Sequence, residues 1–226
     1  MAEKKNVVPT DSDEIIARAQ DFWSKYQKQI TIVLAVIVLG VGGWWGYRNF
    51  VVKPKAAKAV DAMYKAEEYY RMDSVQKALN GDGINWGFIR VIKEYGGTKA
   101  GNLAHYYAGD CYLQLGDFNN AVKYLKEYSS SAKQYQARTY KLLGDAYSEL
   151  GKNDEAITSY KKAANHFPDD RYNAAEALFF AARLADHLGK SKEATDLYKE
   201  IKEKFYDQKS FADEADKYLA KLGTYN

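Results

Sequence analysis

Residues 137–170 read ARTYKLLGDAYSELGKNDEAITSYKKAANHFPDD, and this stretch decides the fold. Small residues, tyrosines and a proline stand at set intervals along it: Gly144, Tyr147, Gly151, Ala156, Tyr160, Ala163 and Pro168. The start of the series stands 35 positions upstream as Gly109, Tyr112, Gly116 and Ala121. Self-similarity at such a period marks stacked supersecondary units. Gly109, Gly144, Ala121 and Ala156 suit places where two helices nearly touch and only small side chains fit. Gly116, Gly151 and Gly189 follow helix ends, where a left-handed residue stops the helix. Tyr112, Tyr147, Tyr160 and Tyr198 are expected to fill the gaps between units, which makes the excess of 20 tyrosines mostly structural. No unit of this kind buries its own apolar face; stacking produces the core.

This order of small, aromatic and proline positions resembles the tetratricopeptide-repeat (TPR) family, whose unit is two antiparallel helices. Residues 137–170 match closely. Residues 102 to about 136 keep the first helix and turn but have Leu125, with Tyr124 beside it, at the second-helix aromatic position, and lack the closing proline. Residues 175 to about 208 are degenerate: Ala182 and Ala185 replace glycine and tyrosine, while Gly189, Ala194 and Tyr198 remain. Residues 211–222 read as a closing cap helix. Upstream, residues 55–79 are expected as one long helix ended by Asn80-Gly81-Asp82-Gly83, and residues 86–95 as the second helix of a divergent pair.

Before the repeats, residues 29–47 carry no charge, and residues 30–39 are almost purely aliphatic. Nineteen residues of helix span about 28 Å, close to the hydrocarbon thickness of a bilayer. Aromatic residues flank the run on both sides: Phe22, Trp23 and Tyr26, then Trp44, Trp45, Tyr47 and Phe50. That is the interfacial belt of a membrane-crossing helix. A cleaved signal peptide would have a short basic start and a small-residue cleavage site. The expected organisation is a cytoplasmic segment with a juxtamembrane helix (1–28), a transmembrane helix (29–52), a long helix and divergent pair (53–100), and repeats with a cap (101–226). The class is all-α: an N-terminal transmembrane helix followed by a TPR α-solenoid of about three repeats. Asp11 with Glu14 suggests a helix start, so residues 13–28 run as a helix into the anchor. Charge leaves orientation open: Lys4, Lys5, Arg18, Lys25 and Lys28 on one flank match Arg48, Lys53, Lys55, Lys58 and Lys65 on the other. Thr31, Ala35, Gly42 and Gly46 share one helix face, and Gly42-x-x-x-Gly46 has the small-xxx-small pattern of helix packing in lipid.

The composition excludes several functions. Net charge is only +3, and the basic residues form no block, which argues against nucleic acid. One cysteine, Cys111, excludes an internal disulfide and a cysteine zinc site. His105, His166 and His187 lie far apart without metal-ligand neighbours at helical spacing, and His105 takes the position the TPR family usually gives to Trp. There is no P-loop and no Gly-x-Ser-x-Gly; Gly40-x-Gly42-Gly43 lies in the anchor with no strand before it. Asp11/Asp13 and Asp169-Asp170 read as caps. No catalytic constellation, cofactor site or small-molecule substrate is expected; a hydrolase or transferase would need an unrecognised site.

A TPR stack offers a concave groove lined by the first helix of each pair. By resemblance, its lining would be Leu103, Tyr106, Asp110, Leu113 and Gln114; then Arg138, Lys141, Asp145, Ser148 and Glu149; then Glu176, Phe179, Arg183, Asp186 and His187. Such a mixed surface suits peptide segments or a partner domain. Tyr106 and Asp110 stand where the chaperone-tail clamp of one TPR subclass needs Lys and Asn, which argues against that ligand.

The whole layout, with residues 30–47, Tyr106-Tyr107-Ala108-Gly109-Asp110 and Leu115-Gly116-Asp117, resembles the YfgM-like family of ancillary TPR subunits of the bacterial Sec translocon. The resemblance implies an inner-membrane protein with a cytoplasmic N-terminus and periplasmic repeats. It implies association with the SecYEG channel and a membrane-anchored periplasmic chaperone of the prolyl-isomerase type, and the holding or handing on of exported chains. The alternative is a general membrane-tethered assembly scaffold for another envelope or organellar complex.

Overall fold

The computed structural model describes residues 11–223, and these divide into two compact units, one up to residue 54 and one from residue 55 onward. What was expected of residues 1–10 lies outside the described residues. The first unit is α1 (Asp11–Tyr47), followed by five residues of π-helix, Arg48–Val52. The helix is thus longer than the expected juxtamembrane and anchor pieces taken separately, and continuous through both. It is long and apolar enough to cross a membrane. Ile32, Leu34, Ile37 and Leu39 are each more than half exposed, so among the described residues none covers this part of the apolar run. At its end the Arg48 guanidinium lies 5.3 Å from the Trp44 ring centre. This gives the first cation beyond the run an aromatic partner.

Among its described residues the second unit consists of α-helices joined by turns and short connections, with one isolated bridge between Gly81 and Trp86. Its helices are α2 (Lys53–Arg71), α3 (Val75–Asn80), α4 (Phe88–Tyr95), α5 (Lys99–Gln114), α6 (Phe118–Glu127), α7 (Lys133–Glu149), α8 (Asn153–His166), α9 (Arg171–His187), α10 (Ser191–Lys204) and α11 (Lys209–Lys221). From α4 onward each helix packs on the next, and α5 also meets α7, as α9 meets α11. Contacts between neighbours and next-but-one neighbours are the pattern of a solenoid of hairpins.

The turns explain why the chain folds back so regularly. At Leu115-Gly116-Asp117 the Gly116 amide donates to Leu113 O (3.1 Å) and the Asp117 amide to Tyr112 O (2.9 Å), with Gly116 at φ +76°. Leu150-Gly151-Lys152 and Leu188-Gly189-Lys190 repeat both bonds, with φ +68° and +72°. The pairing satisfies carbonyls that a helix end leaves open. Met72-Asp73-Ser74 has the same two bonds, and Asp73 takes the left-handed position at φ +54°. The single helix expected over residues 55–79 is therefore two, α2 and α3, joined by a repeat-type turn. Asp is one of the few residues that enter this region at modest cost, and no Gly or Pro announces the break.

Two apolar clusters form the core. One gathers Met63 and Ala66 of α2, Ala78 and Leu79 of α3, Phe88 and Val91 of α4, and Ala104, Ala108 and Cys111 of α5. The other runs from Tyr106 and Leu125 through α7–α10 to Ala215 and Leu219 of α11. A methyl group added at Gly109 would lie 2.5 Å from Leu125 Cγ, and one at Gly144 would lie 2.5 Å from the Tyr160 ring. The helices of these pairs therefore approach as closely as the repeat glycines suggest. Tyr147, Tyr160 and Tyr198 are buried, whereas Tyr112 is half-buried and stacks on Tyr124 at 5.2 Å. Asp117 and Asp170 cap α6 and α9 in the same way. Each accepts from the backbone amide and side-chain amide of the asparagine three positions on, Asn120 and Asn173.

Candidate functional site

Tyr106 and Asp110 are one turn apart on α5, as Lys141 and Asp145 are on α7, so each pair shares a face. Both aspartates are already engaged within the protein. Asp110 is only 5% exposed, and it accepts from the Tyr70 hydroxyl, which reaches it from α2. Asp145 accepts from the Tyr160 hydroxyl at 2.8 Å and lies 3.5 Å from Lys141. A carboxylate drawn away from water needs such partners. Burial first, and then the neighbouring aspartate, pushes both tyrosine hydroxyls well above the ordinary phenol range. Asp110 and Asp145 are therefore braces, and Lys141, which also lies 3.6 Å from Glu176, ties α7 to α9.

Beside these braces lies a groove of about 680 Å³. Its lining comes from Tyr70, from Tyr106 and Tyr107 of α5, from Tyr135, Arg138 and Lys141 of α7, from Phe167, and from Asn173 and Glu176 of α9. The aromatic side is continuous. Tyr107 stacks on Phe88 (5.1 Å) and meets Tyr70 (5.0 Å) and Tyr106 (5.3 Å) edge-on, and Tyr106 in turn meets Tyr135 (5.5 Å). Burial pushes the Tyr107 hydroxyl up to about 12, so it stays a neutral donor. Arg138 is exposed here, and among the described residues no carboxylate lies within ion-pair distance of it. The groove thus presents ring faces, phenolic hydroxyls and a guanidinium outside any ion pair, together with Lys141, Asp170 and Glu176.

Of the residues expected to line a groove, Tyr106, Arg138, Lys141 and Glu176 come together. Gln114 and Glu149 stand exposed at the ends of α5 and α7, outside it. Leu103 and Leu113 are half-buried against the core. Phe179 lies in the α9–α11 contact, against Phe211 (5.7 Å) and Tyr218 (6.0 Å), with the Arg183 guanidinium 6.0 Å from its ring centre. Asp186 reaches Lys221 of α11 at 3.5 Å. The third unit's face is thus engaged by α11, which packs there as the next helix of the series.

Tyr70, Tyr107, Tyr135 and Phe167 were not expected in the groove. Tyr70 sits before the first repeat glycine, and Phe167 just beyond α8, so repeat spacing marks neither. A second hollow, of about 660 Å³, opens between α6, α7 and α8 and is lined by Tyr128, Tyr140, Tyr147 and His166. His105 is half-buried against Tyr124, and its Nδ1 has no hydrogen-bond partner. Burial lowers its pKa, opposed in part by Glu127. Among the described residues no three His, Cys, Asp or Glu side chains gather as a metal site would require. On α1 the Thr31 hydroxyl donates to Gln27 O (2.7 Å), and the space around Gly42 and Gly46 is open.

Comparison with known families gives two matches. Residues 102–169 and 135–203 match the tetratricopeptide repeat. Residues 20–134, just over half of the chain, match a tetratricopeptide repeat-like domain. No curated protein matches the chain.

Proposed function

We propose that this chain, which belongs to the tetratricopeptide repeat-like family, uses the groove between α5, α7 and α9 to hold extended segments of other proteins at a membrane surface. Tetratricopeptide repeats are protein–protein interaction modules. The observation that carries the proposal is the pairing of a continuous aromatic wall with an exposed guanidinium in no ion pair, Arg138, in one groove. Rings offer area with little rotamer entropy to lose, and the guanidinium donates in a fork to a carbonyl or carboxylate. The apolar helix α1 supplies the anchor. Tethering the groove raises the effective concentration of segments emerging nearby, so weak contacts suffice.

The fuller reading follows the layout of anchor and repeats. The protein is an accessory subunit of the Sec translocon in a bacterial inner membrane. Its N-terminus is cytoplasmic and its repeats are periplasmic. Its partners are SecYEG, a membrane-anchored prolyl-isomerase-type chaperone and newly exported chains.

A photo-crosslinking residue at Tyr135, in intact membranes, tests both levels. Capture of channel subunits, chaperone or exported chains is the expected result, reduced by Arg138→Glu. Capture of one unrelated envelope complex would replace the translocon with a different scaffolded assembly. Crosslinks unchanged by Arg138→Glu would remove the groove from the account. Protease digestion of spheroplasts reports which side holds the repeats.

A further inference from the structure

The chain passes from α1 into α2 without leaving helical geometry. Tyr47 and Lys53, on either side of the π turn, are both right-handed, at φ −55°, ψ −46° and φ −63°, ψ −48°. Between them the hydrogen bonding changes: the Lys53 amide donates to Arg48 O, five residues back instead of four. Pro54 comes next. It has no N–H to give, and in α spacing its ring would run into the carbonyl four residues back, at Phe50. A wider turn carries that carbonyl away from the ring, so the proline explains why the π turn stands here. What remains is a gap in the ladder. The amide that would serve Asn49 O in π spacing, or Phe50 O in α spacing, is the one Pro54 lacks.

Packing does not make up for the gap. No residue of the π turn is buried, and Phe50 is 76% exposed. The Phe50 ring meets Trp45 edge-on at 6.4 Å, a contact within the same helical run and not a strut from another element. The division between the two compact units falls at the same point, between residues 54 and 55. Sharp bends in helices concentrate at prolines and π turns, and hinges are a few residues at element ends that absorb changes in φ and ψ. Proline, π turn and unit boundary therefore coincide within seven residues of chain that no side-chain core braces.

We infer that residues 48–55 are a flexible joint, at which the helix bends over a range of angles, so that the repeats are tethered to α1 without being locked to it. With α1 as the anchor, the joint stands just beyond the ring belt of Trp44, Trp45 and Tyr47, where water can serve the open carbonyl. The groove then sweeps a range of directions at one tether length, which keeps its effective concentration high for segments arriving at different angles. That role for the groove rests on the anchor proposed above; the joint itself does not.

Paired spin labels measure the joint in the full-length chain in lipid nanodiscs, with the buried Cys111 changed to alanine. Val41→Cys with Lys58→Cys spans the joint. Ser24→Cys with Val41→Cys spans the same number of residues within uninterrupted α1 and gives the width of a plain helix. All three positions are exposed, and each pair would lie about 25 Å apart along a continuous helix. The expected result is a distance distribution at least about twice as broad for 41–58 as for 24–41, narrowed to the control width by Pro54→Ala. A 41–58 distribution as narrow as the control overturns the joint. So does a broad one that Pro54→Ala leaves unchanged, because the flexibility then has another source. Failure of the chain to enter the nanodisc sinks the anchor, and the same widths, read in detergent, still decide the joint.

Discussion

Gly144 has no room for a methyl group: the Tyr160 ring it would meet is held by Asp145. Gly144→Ala should destabilise the chain by about 1–3 kcal/mol in urea unfolding, despite the better helix propensity of alanine. Gly101→Ala should cost more, because its methyl would run into the Tyr95 carbonyl, which is backbone and cannot rotate aside. Spacing singled out Gly144 and passed over Gly101, which belongs to no recurring series; its constraint comes from the α4–α5 connection. Tyr70→Phe should cost about 1–3 kcal/mol, since it leaves the Asp110 carboxylate buried and short of a donor. A double variant with Asp110→Asn should cost less than the two single changes together. His105 sets a pH dependence with a definite sign. Its folded pKa is depressed by burial, so the unfolded chain binds the proton more readily. The contribution of the neutral ring is complete above the unfolded value of about 6.5 and is lost as pH falls through the folded value. Unfolding free energy should fall between pH 7.5 and 5 in the native chain, and His105→Gln should flatten that slope.

At the level of elements, what could be read in advance follows the hydrogen-bond chemistry of the turns. Three helix ends were legible because glycine stands at the left-handed position. The α2–α3 break was not, because Asp73 makes the same turn without the residue that usually signals it. Asp73→Gly should therefore be tolerated, and Asp73→Val should destabilise, as β-branched residues fit positive φ poorly. The thermal midpoints of the two variants would show the order. The start of α9 is fastened by Arg171, whose Nη2 donates to Lys204 O (2.7 Å) and whose guanidinium grips Asp207. That grip holds the Asp207 carboxyl at about 2. The stabilisation is present above the unfolded carboxylate value, about 3.9, and disappears as pH falls toward 2. The gap in thermal midpoint between the native chain and Asp207→Asn should be open at pH 6 and close in strong acid.

For the whole molecule, the long apolar helix and the stack were both legible because each rests on a long run of one kind: unbroken apolarity in one case, a period of about 35 residues in the other. The groove was legible only in part. Repeat analogy finds side chains on the first helices, such as Tyr106 and Arg138. It says nothing of Tyr70 from a divergent hairpin, nor of how α11 engages Phe179. The anchor itself is open to direct challenge. The chain should remain with the membrane pellet in alkaline carbonate, and Leu34→Lys with Ile37→Lys should release it, each charge costing about 2.5–3.5 kcal/mol at mid-bilayer. One detail of the stack bears on engineering. α11 ends with the first of the two bonds that close α5, α7 and α9, the Gly223 amide donating to Ala220 O (3.1 Å) at φ +71°. A helix grafted after Gly223 would be launched back along α11, so the scaffold has a ready-made splice point for lengthening by whole hairpins.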